Sequence, residues 1–146
     1  MGRLVKGVWK DVWYDTSSSG GRFVRESSAF HGTVVDDPAA EYPAAPGRYQ
    51  LYVALACPWA HRTLIVRRLK QLDAVIGVSV VHPYMGEQGW TFDSYRGATG
   101  DPLNGSAYLH QLYTLTDPNY TGRVTVPLLW DRQRRTIVNN ESAEIL

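Results

Sequence analysis

Cys57 is the one cysteine of the sequence, and it stands in the run Ala56-Cys57-Pro58-Trp59-Ala60-His61-Arg62. A proline directly after it fits the first position of a helix. A thiol at that place meets free backbone N–H groups and the positive end of the helix dipole, and both favour the thiolate. The thiolate is the nucleophile of thiol–disulfide chemistry. A small buried hydrophobe, the bland alternative for a lone cysteine, suits a helix start less well. Ala60 occupies the place where a dithiol oxidoreductase carries its resolving cysteine. Any disulfide made at Cys57 is therefore mixed with an external thiol, for which glutathione is the cytosolic candidate. His61 and Arg62 follow on the same helix. Each either supports the thiolate or is an ordinary solvated side chain.

Two further places invite a ligand. Proline cannot donate to a sheet ladder, so Val126-Pro127 needs a special geometry or a strand start. A cis bond there turns the Val126 N–H and C=O outward, toward a peptide-like ligand; an ordinary trans proline is the alternative. Glu141-Ser142 opens the last helix. Free N–H groups there suit a carboxylate, and Glu141 suits an ammonium, which together match the γ-glutamyl head of glutathione. Plain helix capping is the alternative.

The elements that must position these residues begin near Arg48. Tyr49, Leu51, Val53 and Leu55 alternate as in a buried strand. A helix from Pro58 follows, with Leu64, Ile65, Leu69 and Leu72 as its apolar face. Val75 to Val81 reads as a second strand. The long Gly-rich loop 82–105 has no regular period, and such a loop inside a domain is functional as a rule. Ser106 to Thr116 reads as a short helix with Tyr108, Leu109, Leu112, Tyr113 and Leu115 on its apolar face. Val126–Trp130 and Thr136–Val138 read as strands around a polar turn at 131–134. A final helix begins with Asn140 or its neighbour as cap. The order β-α-β-α-β-β-α is that of an α/β, thioredoxin-like domain over residues 47–146. Residues 1–46 are punctuated by Ser17–Gly21, Pro38, Pro43 and Pro46. They also carry Trp9, Trp13, Tyr14, Phe23 and Phe30, so they are expected to form an extended arm packed on that body.

Composition narrows the function. With 146 residues, 44% hydrophobic, the chain can bury a core. A net charge of +1 gives no basic surplus for nucleic acid. One cysteine excludes a disulfide framework and a Cys-rich zinc module. The four histidines are scattered without metal-ligand spacing, so no metal is expected. No apolar run approaches the ~20 residues of a membrane span, and the charged N-terminus does not read as a signal peptide. A cytoplasmic location is expected. A helix ending at Leu146 leaves its apolar face uncovered, so the chain is expected to be the first part of a longer protein.

Four blocks carry a resemblance: "GRYQLYVALACPWAHRTLIVRRLK", "GWTFD…GATGDPLNG", "LYTLTDPNYTGRVTVPLLWD" and "TIVNNESAEI". Together and in this order they resemble the glutathionyl-hydroquinone reductases, the Xi class of glutathione transferases. The resemblance runs from about Trp9 to Leu146. It implies Cys57 as the nucleophile. It implies that Trp90 contacts glutathione, that Arg123, Val124, Thr125 and Val126 line the tripeptide, and that Pro127 is a cis proline. It implies that Glu141 and Ser142 bind the γ-glutamyl head. Glutathione would be the co-substrate and glutathionyl-hydroquinones the substrates, with a homodimer in the longer protein. The family's all-helical C-terminal domain, which supplies the hydroquinone pocket, would begin beyond Leu146. A glutaredoxin-like deglutathionylase and a non-catalytic glutathione-binding or redox-sensing module are the two alternatives.

Overall fold

The computed structural model describes residues 2–146. The chain opens on a hairpin, β1 (Arg3–Val5) and β2 (Val8–Lys10), paired antiparallel with Val5 opposite Val8. Its two-residue turn, Lys6-Gly7, has positive φ at both positions, as a type I′ hairpin turn requires. Gly7 is also pressed against the Pro118 carbonyl, where a Cβ would collide. A 3-10 turn, Ser17–Ser19, follows in an otherwise irregular stretch.

The central sheet is built from β3 (Tyr49–Val53), β4 (Ile76–Val80), β6 (Leu128–Asp131) and β7 (Thr136–Asn139), in the order β4-β3-β6-β7. Helix α1 (Pro58–Leu69) links β3 to the parallel β4. Helix α2 (His110–Thr116) follows the long loop after β4, and β5 (Gly122–Arg123) precedes the antiparallel pair β6 and β7. Helix α3 (Ser142–Ile145) closes the described chain. This is the thioredoxin-like arrangement expected from the sequence.

All five β3 residues are buried, so this strand is covered on both faces. Tyr49 and Leu51 face a groove shared with α1 and α3. Tyr52, pointing the other way, meets the Phe92 ring at 5.9 Å and donates to Asp101 Oδ1 at 2.7 Å. Asp101 also accepts from the Asn104 and Ser106 N–H groups, so this buried carboxylate gathers the end of the long loop. Burial and the Asp101 carboxylate push the Tyr52 phenol far above its ordinary value, which keeps it a donor. Tyr52→Phe leaves Asp101 short of a buried partner and is expected to cost about 1–3 kcal/mol, readable by denaturant unfolding.

The structure departs from the sequence reading in four places. The arm is not wholly irregular: β1 also pairs with β5, Leu4 opposite Gly122, and Leu4 is fully buried in the core. Helix α1 turns a different face inward. Ala60 and Thr63 are buried, while Ile65 and Leu69 are 45% and 74% exposed. The stripe Ala60, Thr63, Leu64, Arg67 follows the i, i+3, i+4, i+7 rule, and Arg67 belongs to it because its guanidinium donates to the Ile76 and Asp73 carbonyls. Leu115, expected on the inner face of α2, is also exposed. Asp131 opens the expected polar turn, accepting from the Gln133 and Arg134 N–H groups, but it is not exposed. It ends β6 fully buried, gripped by Arg48 through two bonds of 2.6 and 3.0 Å. Burial pushes its carboxyl upward, but Arg48 and the Gln133 and Arg134 N–H groups outweigh that and hold it below the usual range.

Candidate active site

Strand β3 ends at Val53, and a tight turn with the Cys57 N–H bonded to the Ala54 carbonyl at 3.0 Å delivers Cys57 to the start of α1. Cys57 is the N-cap residue in an extended conformation, with Pro58 at the first helical position. The His61 N–H closes the first turn onto the Cys57 carbonyl at 3.0 Å. That turn leaves the N–H groups of Trp59 and Ala60 without helical partners. The thiol is half-buried and donates to the Val126 carbonyl at 3.7 Å.

Val126 precedes a cis proline: the Val126-Pro127 bond is cis, as the sequence led us to expect. Cys57, Trp90, Val124, Thr125 and Val126 share one cavity of about 330 Å³. Five of the residues singled out in the sequence, on three separate segments, therefore meet in one place. Thr125 is fixed from behind by the Tyr113 hydroxyl, which donates to the Thr125 carbonyl at 2.8 Å. Asn140 in turn donates to that hydroxyl from the start of the last helix. The Trp90 carbonyl accepts from the Leu109 N–H at 2.9 Å, which ties its loop to α2.

The remaining residues sit elsewhere. His61 does not line the cavity. Glu141 and Ser142 lie outside its lining and form a second polar cluster with α1. Ser142 Oγ accepts from Arg62 Nε at 3.0 Å, and Glu141 lies 3.9 Å from the same guanidinium. Arg62 also stands 5.1 Å from the Trp59 ring centre, and Arg25 stands 5.7 Å from it. Trp59 thus bridges the two groups. Glu141 caps α3 by accepting from the Ala143 N–H at 3.3 Å, and it accepts from Ser28 Oγ at 2.9 Å. Burial raises its carboxyl, but Ser28, the Ala143 N–H and the charges of Arg25 and Arg62 together hold it below its ordinary value. Arg123 is 7% exposed and turned toward the arm: it donates to the Val12 carbonyl at 2.8 Å and covers the Tyr14 ring at 3.9 Å.

Sequence reading missed the arm's share of the cavity. Trp13, Tyr14, Phe23 and Arg25 form one side of it, with Trp59 and Met85. The signal was the density of aromatic residues in a segment otherwise punctuated like a loop. Among the described residues, no group of three or more His, Cys, Asp or Glu could hold a metal, and no helix is long and apolar enough to cross a membrane.

A four-stranded thioredoxin-type sheet, a cysteine at the start of its first helix and a cis-proline loop facing that cysteine define a class of domains that handle thiols. The chain belongs to the glutathione S-transferase family: residues 56–146 match the model described as "Glutathione S-transferase, N-terminal domain". It is 57% identical to the glutathionyl-hydroquinone reductase YqjG of Escherichia coli, across 100% of this chain and 47% of that protein. Among solved structures, it is similar to a Xi-class glutathione transferase of Natrialba magadii, with a TM-score of 0.87 and 45% identity over 99% of this chain and 43% of that one. It also superposes on the glutathione-bound structure of YqjG with a TM-score of 0.81, at 49% identity over 99% of this chain and 43% of the other. The chain therefore spans just under half the length of the relatives it matches.

Proposed function

We propose that this chain is the glutathione-handling part of a reductase that converts glutathionyl-hydroquinones to hydroquinones. The observation that carries the proposal is the meeting of Cys57 with Trp90 and Val124–Val126 in one cavity, with Cys57 as the N-cap residue of α1. The relatives named for this activity support it.

In this mechanism the Cys57 thiolate attacks the sulfur of the conjugate. A sulfur–sulfur bond forms and the aryl carbon–sulfur bond breaks, the ring carbon keeping the electron pair and taking a proton. Hydroquinone leaves, and a Cys57–glutathione mixed disulfide remains. A second glutathione thiolate attacks that disulfide, releases oxidised glutathione and restores Cys57. Over the cycle one glutathione thiol and the thioether sulfur of the conjugate are oxidised to a disulfide, and one aryl carbon is reduced by the same two electrons. The domain supplies the nucleophile and a groove that orients the tripeptide. Val126 pairs with its backbone, Val124 and Thr125 line it, and Trp90 packs beside it. Glu141 and Ser142 receive the γ-glutamyl head, with Glu141 kept ionised for the ammonium. In this scheme residues 47–146 form the glutathione-binding body and residues 1–46 its arm, in a cytoplasmic protein that works as a homodimer.

The test is turnover by the protein as encoded, with whatever sequence follows Leu146. Given glutathione and a glutathionyl-hydroquinone, it should release hydroquinone and oxidised glutathione in equal amounts. Turnover confined to simple alkyl mixed disulfides would instead mark a glutaredoxin-like deglutathionylase.

A further inference from the structure

We propose that residues 12–26 form the wall of the Cys57 cavity that receives the aryl group of a glutathionyl conjugate, with Arg123 as the positioning residue that holds this wall in place. The inference rests on the proposed reductase chemistry. It adds which side chains meet the ring, and what fixes them.

The cavity has two unlike sides. Val124–Val126 and Trp90 come from the body, and Trp13, Tyr14, Phe23 and Arg25 come from the arm. With the sulfur of a conjugate at Cys57 and its tripeptide along Val124–Val126, the ring is the other group on that sulfur, and the arm supplies most of the aromatic lining left to meet it. The arm offers it aromatic surface. Trp13 and Phe23 are 64% and 60% exposed beside a nucleophile, and aromatic faces and edges bind an aryl ring in stacked or edge-on geometry.

Tyr14 is the hub of this wall. Trp13 meets its ring edge-on at 5.7 Å and Phe23 at 4.5 Å. Arg123 covers the same ring at 3.9 Å and donates to the Val12 carbonyl at 2.8 Å. Its Nε lies 3.8 Å from Glu26, whose carboxylate also takes Arg3 at 2.7 Å. Arg123 therefore bonds the first end of the segment directly, while at the other end Glu26 is bonded by Arg3 and only attracted by the charge of Arg123. The segment's own turn closes within itself, Ser19 and Gly21 donating to the Thr16 carbonyl. Arg123 is fixed in turn by β5, where it pairs with Arg3 of β1 and leads directly into Val124. The wall and the tripeptide groove hang on one strand.

The experiment compares kcat/KM for a glutathionyl-hydroquinone with kcat/KM for a mixed disulfide of glutathione and a small alkyl thiol. It uses the protein as encoded, a Trp13→Ala/Phe23→Ala variant and an Arg123→Gln variant. The aryl-to-alkyl ratio is expected to fall about tenfold in each variant, mainly through KM for the aryl substrate. Arg123→Gln should also speed proteolytic cleavage within residues 13–25. An unchanged ratio in the Trp13/Phe23 variant overturns the inference while leaving the reductase chemistry intact. No aryl turnover by the parent protein overturns both. The Trp13 and Phe23 side chains are exposed, so the double variant keeps the test open if Arg123→Gln does not fold.

Discussion

Replacing Cys57 with serine is expected to lower glutathione-dependent release of hydroquinone by about 10³-fold or more. The serine hydroxyl is not ionised near neutral pH and cannot form the mixed disulfide on which both half-reactions depend. His61 cannot compensate, because it does not line the cavity, and the sequence has no second cysteine. The fold should tolerate the change. Cys57 is half-buried, its Sγ makes one polar contact, at 3.7 Å, and its backbone role at the start of α1 is kept by serine, a favoured cap. Thermal unfolding should therefore move little, and glutathione should still raise the unfolding temperature by mass action. Loss of activity with intact binding separates a nucleophile from a structural residue.

The second large effect is on stability and falls at the far end of the sequence. Leu4→Ala should cost about 2–5 kcal/mol, the range for removing a buried leucine and leaving its cavity. For a chain of this size that is a fall of roughly 10 °C in the unfolding temperature. Leu4 is fully buried and stands opposite Gly122 in the small sheet β2-β1-β5. That sheet anchors the arm to the strand that runs into Val124–Val126, so the variant should also weaken glutathione binding. A change of only a degree or two would mean that the arm is not part of the core.

The places of Cys57 and Pro127 were more legible in the sequence than the surface that surrounds them. Cys57-Pro58 reads as a helix start because proline's missing N–H and fixed φ suit that position. Val126-Pro127 reads as a special bond because a proline has no place inside a ladder. Strand β3 announces itself by its run of apolar residues. The small sheet stayed hidden because three-residue strands are too short to show a period, and because β5 joins β1 across more than a hundred residues. The inner face of α1 was misread for a related reason. The bulky Leu64, Ile65 and Leu69 suggested a stripe, but of the three only Leu64 packs on the core, beside the smaller Ala60 and Thr63. Nothing local marked Asp131 as buried, because its partner, Arg48, lies far away in sequence. Arg123 was placed in the groove by its motif, and only the fold shows it turned to Tyr14 and Val12.

A covalent intermediate at Cys57 would be caught in a single turnover. The protein as encoded is mixed with one equivalent of a glutathionyl-hydroquinone and no free glutathione, quenched in acid, digested and analysed by mass spectrometry. One glutathionyl group is expected on the peptide carrying Cys57, equal in amount to the hydroquinone released and removed by added thiol. Hydroquinone released while that peptide stays unmodified would contradict the intermediate.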